Sequence, residues 1–463
     1  MTDIYKKLRP WLVPLFAILV IIFGTALLVA FAQGYTFDAS TGQIKSTGLV
    51  LVNSNPGGAN VYIDSKDTHK KTPYRYTNAA AGTINVLIKK AGFRDWYANL
   101  LVTAGEVTFS DYAILLPNQL YQQNLAQPVN YNEILQSTDQ KHSVALSKDK
   151  KAIYSINNDG EAKPLISAEQ DSNIIEFSNI IISPNGERII FNQSLQSGQI
   201  QTLTLKLADG KTGNITSQLS IPANSDLRFN PADTNEIFWL SDGVIKKIKL
   251  SELSLSAAII SNVATYSVAD DRLLIVESKI NPTDKTQQLV SYNFSGSDRK
   301  IISSTQSDAK GYQLSFIKSR YNEYATVVHN TDGLFELIRN PYSDQNQTIS
   351  KEGIGISYIA TNPNSRFIIL SQGGTMKTID LEFSQRYSSH TNIGTSDSIK
   401  WLDSYHLIIQ TDNQLRMVDF DGQNNQLLTP IADVVAFSIN ADNKSILPLN
   451  SNGQLFKLWL TKK

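Results

Sequence analysis

From residue 131 onward one unit recurs with a period of roughly 40 residues, the length of a four-stranded propeller blade. Nothing else in the 463-residue chain limits its possible folds so strongly. A first turn marks each unit, at 147–150, 183–186, 230–233, 269–272, 319–322, 362–365, 402–405 and 440–443, and Ser183-Pro184-Asn185-Gly186 is its clearest form. A β-rich strand follows each time, as in Arg188-Ile189-Ile190-Phe191 and Phe367-Ile368-Ile369-Leu370. A second hairpin turn then appears at Asp159-Gly160, Asp242-Gly243, Asp332-Gly333, Gly373-Gly374, Asp412-Asn413 and Asn452-Gly453. Such dipeptides supply the positive φ that tight hairpins need. Two turn series in register predict eight blades, with seven as the alternative. The last unit, 434–460, stops one strand short, so an N-terminal strand within 131–137 is expected to complete it. Closing the ring in this way removes exposed sheet edges.

The N-terminus is of another kind. Lys6, Lys7 and Arg9 precede a run from Pro10 to Phe37 that carries no charge. A helix needs about 20 apolar residues to cross a bilayer core, so a transmembrane anchor is expected over 10–33 behind a cytoplasmic tail, 1–9. Positive charge before the span places the tail inside and the rest of the chain outside a plasma membrane. A cleaved signal is the rival, since Ala30-Phe31-Ala32 fits a small-x-small cleavage site; signal h-regions, at about 7–15 residues, are shorter than this run.

Composition narrows the function classes. Lys and Arg total 42, Asp and Glu total 42, so no charge imbalance points to nucleic acid or to an anionic surface. Cysteine is absent, which excludes disulfides, thiolate metal sites and cysteine nucleophiles. An exported chain of this kind is held by its own apolar core.

Between anchor and repeats, a polar juxtamembrane stretch (34–48) leads into a strand-rich segment, 49–117, and a Gln/Asn-rich linker, 118–130. Leu49 to Val52 are apolar, Asn55-Pro56-Gly57-Gly58 forms a turn, and Val61 and Ile63 alternate with polar neighbours. Residues 65–71 read as a polar loop. Ile84, Val86 and Ile88 alternate again, and two further strands follow to Leu116. This is the pattern of a small β-sandwich. On Pro56-Gly57-Gly58-Ala59, on Val61-Tyr62-Ile63-Asp64, on Thr72-Pro73 and on Gly92-Phe93, the segment resembles the PEGA domain, a β module of bacterial and archaeal surface proteins. Gly57 departs from the name-giving motif, which has glutamate there, and Ser65 stands where glycine is common. The resemblance implies a cell-envelope setting and no catalytic residue, so the motif residues are read as turn and core builders. The repeat units in turn resemble WD-type and TolB-type propeller blades, most closely over 182–191.

Chemistry-bearing patterns are few. The five histidines (His69, His142, His329, His390, His406) lie in separate units without ligand spacing. Asp419-Phe420-Asp421-Gly422-Gln423-Asn424 resembles the start of a calcium loop but lacks the downstream glutamate, and is read as a hairpin turn. No nucleophile elbow or phosphate loop occurs. No catalytic, metal or cofactor residue is therefore assigned. Asp226, Glu277 and Asp433 are the carboxylates that could meet in a propeller channel. Longer second turns at Gln193 to Gln199 and Lys279 to Thr286 mark one rim as the preferred binding face. The expectation is an all-β exported region behind one helix, acting without catalysis. It would bind or scaffold an envelope protein or a cell-wall glycan, with no nucleic acid partner and with the lipid bilayer as its support. The alternative is an extracytoplasmic hydrolase or lyase using the channel. Converging carboxylates would mark the enzyme, exposed aromatics a glycan binder, and a broad apolar patch a protein platform.

Overall fold

The computed structural model describes residues 2–38, 42–268, 271–277, 287–305, 312–318, 322–329, 334–352, 356–361, 365–392, 399–428 and 433–462. The chain divides into two compact units, 1–119 and 120–463. Helix α1 (Thr2–Ala32) opens the first. Its portion Pro14–Ala32 is, among the described residues, the one helix long and apolar enough to cross a membrane. The helix ends at Gln33 and Gly34, where Gly34 takes a φ of 82°.

Eight strands follow in this unit: β1 (Tyr35–Asp38), β2 (Gln43–Asn55), β3 (Asn60–Ile63), β4 (Lys66–Lys71), β5 (Tyr74–Ala80), β6 (Gly82–Lys89), β7 (Trp96–Val102) and β8 (Val107–Ile114). One sheet has the order β1-β2-β5, with β8 running parallel on β2; the other has the order β4-β3-β6-β7. Val50 and Val52 from the first sheet pack with Val61, Val86, Ile88 and Trp96 from the second. The sandwich forms because its inner strands alternate between buried and exposed positions, β7 residue by residue and β6 over most of its length. Two stretches differ from the sequence expectation. The polar 34–48 stretch holds β1 and the start of β2, so the module begins at the helix end. The polar loop expected at 65–71 is β4, an edge strand paired only with β3. Its outward Lys, Asp and His side chains show no apolar alternation, and such charges guard an exposed edge.

The second unit contains eight antiparallel sheets among the described residues. Their first strands are Tyr131–Gln136, Ile174–Ile182, Leu227–Phe229, Val263–Val268, Tyr312–Lys318, Ile356–Thr361, Ile399–Trp401 and Val434–Ile439. The first strand of blade 1 lies against those of blades 2 and 8, which closes the ring. The closing strand is β9 (Gln122–Asn124), which pairs with Phe456–Trp459 as the fourth strand of blade 8. Thus the expected N-terminal completion occurs, but from within the stretch read as a linker. Residues 131–136 instead begin blade 1. Its register also shifts by one strand: the turn at 147–150 joins its second and third strands, and 137–140 is the true first turn. The chemistry explains the ambiguity. Ser137, Ser147 and Ser183 each donate to the Asp or Asn two residues on (2.6, 2.6 and 3.0 Å). Each also accepts from the backbone N–H five residues on. One turn type therefore occurs at two consecutive hairpins of blade 1. The turns at 269–272, 319–322 and 362–365 fall partly, and Asp332-Gly333 wholly, outside the described residues.

Neighbouring blades are tied at their first strands. The Arg228 guanidinium of blade 3 donates to the Tyr266 carbonyl of blade 4 and lies 4.5 Å from that ring's centre. Lys400 of blade 7 repeats this on Phe437 of blade 8, donating at 2.6 Å with its Nζ 5.0 Å from the ring centre. Gln136 of blade 1 both donates to and accepts from the Ile439 backbone of blade 8.

Candidate functional site

The expected binding rim is only partly a rim. Gln193 is buried inside the second strand of blade 2, its amide donating to Gln201 at 2.9 Å. Asn214 donates to the same Gln201 oxygen, and Asn192 and Asn179 both donate to Asn224. This gives blade 2 a neutral network of amides across its strands. The hairpin tip is a short turn, with Leu195 N–H bonded to Gln199 O and Gln196 N–H folded back onto Asn173 O. Gln199 is exposed there. The longer excursion is thus mostly extra strand. Lys279 and Thr286 lie outside the described residues.

The three candidate carboxylates come from three different blades. Asp226 accepts two hydrogen bonds from Arg228, at 3.0 and 3.2 Å. Glu277 accepts two from Arg299, at 2.9 and 2.8 Å, and one from the Tyr292 hydroxyl. The Arg299 hydrogen bonds hold its carboxyl below the usual range, the direction opposite to that of a general acid. Asp226 and Glu277 belong to neighbouring blades 3 and 4, whereas Asp433 precedes the first strand of blade 8, which faces blade 4 in an eight-bladed ring. A carboxylate that sequence reading passed over is Glu133, on the first strand of blade 1, whose carboxyl burial pushes up. The signal was an acid inside the strand Tyr131-Asn132-Glu133-Ile134-Leu135.

Two buried charge clusters occupy one repeated corner, where the second strand starts beside the end of the third. In blade 7, His406 Nδ1 lies 2.8 Å from both oxygens of Asp403, and Nε2 lies 3.6 Å from Asp419. In blade 6, Arg366 reaches the fully buried Asp380 at 2.7 Å. His406 pairs in register with Asp419, and Phe367 with Asp380. Recurrence at one blade position marks these as blade locks. Burial pushes the Asp403 carboxyl up, but His406 and the N–H groups of Tyr405 and His406 outweigh it and hold it below the usual range. The 419–424 segment is a hairpin turn, closed by Asp419 N–H to Gln423 O and Gly422 N–H to Asp419 O. His69 and His142 are exposed, while the side chains of His329 and His390 lie outside the described ones. A cavity of about 210 Å³ lies over the last two strands of blade 6, lined by Lys377, Thr378, Arg386 and Tyr387 among others. It is smaller than the roughly 300–1,000 Å³ usual for ligand pockets.

In the first unit the motif residues build one junction between the sheets. Thr72 Oγ1 accepts from Ala59 N–H at 3.1 Å and meets Ser54 Oγ at 2.7 Å. Gly58 N–H donates to Thr72 O. Pro56 and Pro73 flank this junction, each behind a cis peptide bond. Asp64 carries the turn between β3 and β4 and accepts from Asn85 N–H at 2.9 Å. Gly92 turns with a φ of 81°, and Phe93 is buried in the core. Lys90 reaches over the turn to donate to Gly57 O. The PEGA domain family matches residues 47–114. Residues 47–114 are a PEGA domain.

The PEGA domain carries exposed Tyr97 and Leu101 on β7 and exposed Phe109 on β8, strands whose seam is bridged by Thr108 Oγ1 donating to Leu101 O at 3.1 Å. For the chain as a whole, no curated protein sequence matches. Solved structures similar to it include dipeptidyl peptidase 4 of Porphyromonas gingivalis (14% identity, TM-score 0.48, 69% of this chain and 56% of that one). Oligogalacturonate lyase of Vibrio parahaemolyticus is similar at 10% identity and a TM-score of 0.42, over 71% of this chain and 98% of that one. The β-propeller domain of Cps50 from Myceliophteria thermophila is similar at 9% identity and 0.40, over 74% and 100%. These are likenesses of fold alone. The propeller reading rests on the eight sheets and their closure.

Proposed function

We propose that this protein is a non-enzymatic envelope scaffold. Helix α1 holds it in the plasma membrane with the N-terminus inside, and the PEGA domain and propeller dock a protein partner on the outer side. The observation that carries this reading is the direct passage from an apolar helix into the PEGA domain, followed in the chain by a closed propeller whose buried charged side chains are paired within blades, as Arg366–Asp380 and His406–Asp403 are. At the propeller a protein is favoured over a wall glycan because, among the described side chains of residues 120–463, only Tyr121 beside blade 8 and Phe383 in blade 6 are large exposed aromatics. Sugar rings are bound on such faces.

The test is photo-crosslinking in cells, using the full chain with a photoreactive residue at Gln199, at Phe109, or at Lys444 on the opposite rim of the propeller. A discrete protein adduct from Gln199 or Phe109, absent from Lys444, is expected. No adduct at any site, with the purified chain retained on cell-wall sacculi, contradicts the protein-docking reading.

A further inference from the structure

The β1–β2 hairpin has two unlike faces. Successive strand residues point to opposite sides, and Tyr35 pairs with Ser46 while Phe37 pairs with Ile44. Tyr35, Phe37 and Ile44 therefore share one face, with Thr36 and Lys45 on the other. Ile44 lies on the side of β2 that continues through Gly48 and Val50 into the core. The hairpin overhangs the end of the sandwich, leaving that side uncovered: Tyr35 is 44% exposed, Phe37 66% and Ile44 72%.

This ribbon starts at the end of α1. Gln33 N–H still bonds Val29 O, and β1 begins at Tyr35. The junction is tight. Thr47 donates to Gly34 O through both its N–H (2.7 Å) and its hydroxyl (2.9 Å), and Gly105 N–H donates to Thr47 O. A Cβ on Gly34 would sit 2.2 Å from Thr47 O and 2.3 Å from Gly105 N, so only glycine allows this approach. Helix end, hairpin and sandwich are thereby fixed to one another.

We propose that the apolar face of the β1–β2 hairpin lies in the headgroup region of the bilayer that α1 crosses, holding the PEGA domain against the membrane surface. The inference rests on the anchor reading above. Continuity is the argument for lipid as the occupant: exposed Leu28 and Phe31 on the last turns of α1 lead directly to Tyr35 and Phe37. Tyrosine, with its polar-tipped ring, favours the membrane–water boundary, and phenylalanine and isoleucine add buried apolar area there. The interfacial layer is only about 5–8 Å deep on each side, so a strand rising about 3.3 Å per residue reaches Phe37 within it only by lying along the surface.

The absence of native cysteine makes the test direct. Single-cysteine variants of the full chain (Leu27→Cys, Phe37→Cys, Ile44→Cys and Lys66→Cys) are labelled with a polarity-sensitive fluorophore and reconstituted in phosphatidylcholine–phosphatidylglycerol vesicles containing spin-labelled lipid. Loss of fluorescence at position 27 with deep spin labels, and at positions 37 and 44 with shallow ones, is expected, with position 66 unaffected. If position 27 is unquenched, the anchor reading fails. If position 27 is quenched while 37 and 44 behave like 66, the anchor stands and the hairpin proposal is overturned.

Discussion

Ser65 shows what single residues in this fold must supply. It follows Asp64 in the β3–β4 turn, and the two take φ values of 65° and 47°, a conformation in which glycine is favoured by about 1–2 kcal/mol. Ser65→Gly is expected to stabilise the PEGA domain by about 1 kcal/mol, a rise of roughly 4–8 °C in its thermal midpoint, measured by calorimetry. Arg366 makes the opposite case. Its loss leaves Asp380, wholly buried, with an uncompensated charge, so Arg366→Ala should cost about 3–5 kcal/mol in denaturant unfolding. Adding Asp380→Asn should recover much of that cost. Asp403 adds a pH dependence. Its folded carboxyl titrates below the unfolded value of about 3.9, so its stabilisation is present above that pH and is lost as pH falls through the folded value. Asp403→Asn should therefore cost about 1.5–3 kcal/mol at neutral pH and converge with the parent chain in acid. The turn residues were legible because their chemistry is local. The partners of Glu277 and Asp380 were not, because Arg299 and Arg366 lie just before other strands of the same blade, 22 and 14 residues away in sequence, and only the fold brings them together.

At the level of elements, β9 is the clearest limit of sequence reading. Gln122-Gln123-Asn124 has no apolar alternation because it forms the outer edge of blade 8, where the partner's backbone defines the strand. β4 escaped notice for the same reason. Central strands such as Phe367–Gln372, buried along most of their length, were plain apolar runs. Gln127 secures the closing segment, donating to Gly453 O at 2.9 Å and accepting from Leu455 N–H at 2.8 Å. Gln127→Ala should cost about 1–3 kcal/mol by leaving polar groups unpaired. Amide exchange should quicken at 122–124 and 456–458 while blade 2 is unchanged. Equal loss of protection across all blades would mean that β9 does not latch the ring separately.

For the whole molecule, the sequence carried the apolar N-terminal helix, the PEGA segment and the blade count, since each is periodic or uniform in composition. The candidate site was much less legible. Gln193 is an internal network residue, and the amphipathic hairpin hid in a stretch that averages polar. The central proposal is that α1 is retained in the membrane, with everything after it on the far side. A Gln199→Cys variant of the full chain, exposed in intact spheroplasts to a membrane-impermeant maleimide and then fractionated in alkaline carbonate, tests it most directly. Labelling without permeabilisation, with the protein staying in the membrane pellet, is the predicted result. Labelling only after lysis, or release into the supernatant, would contradict it.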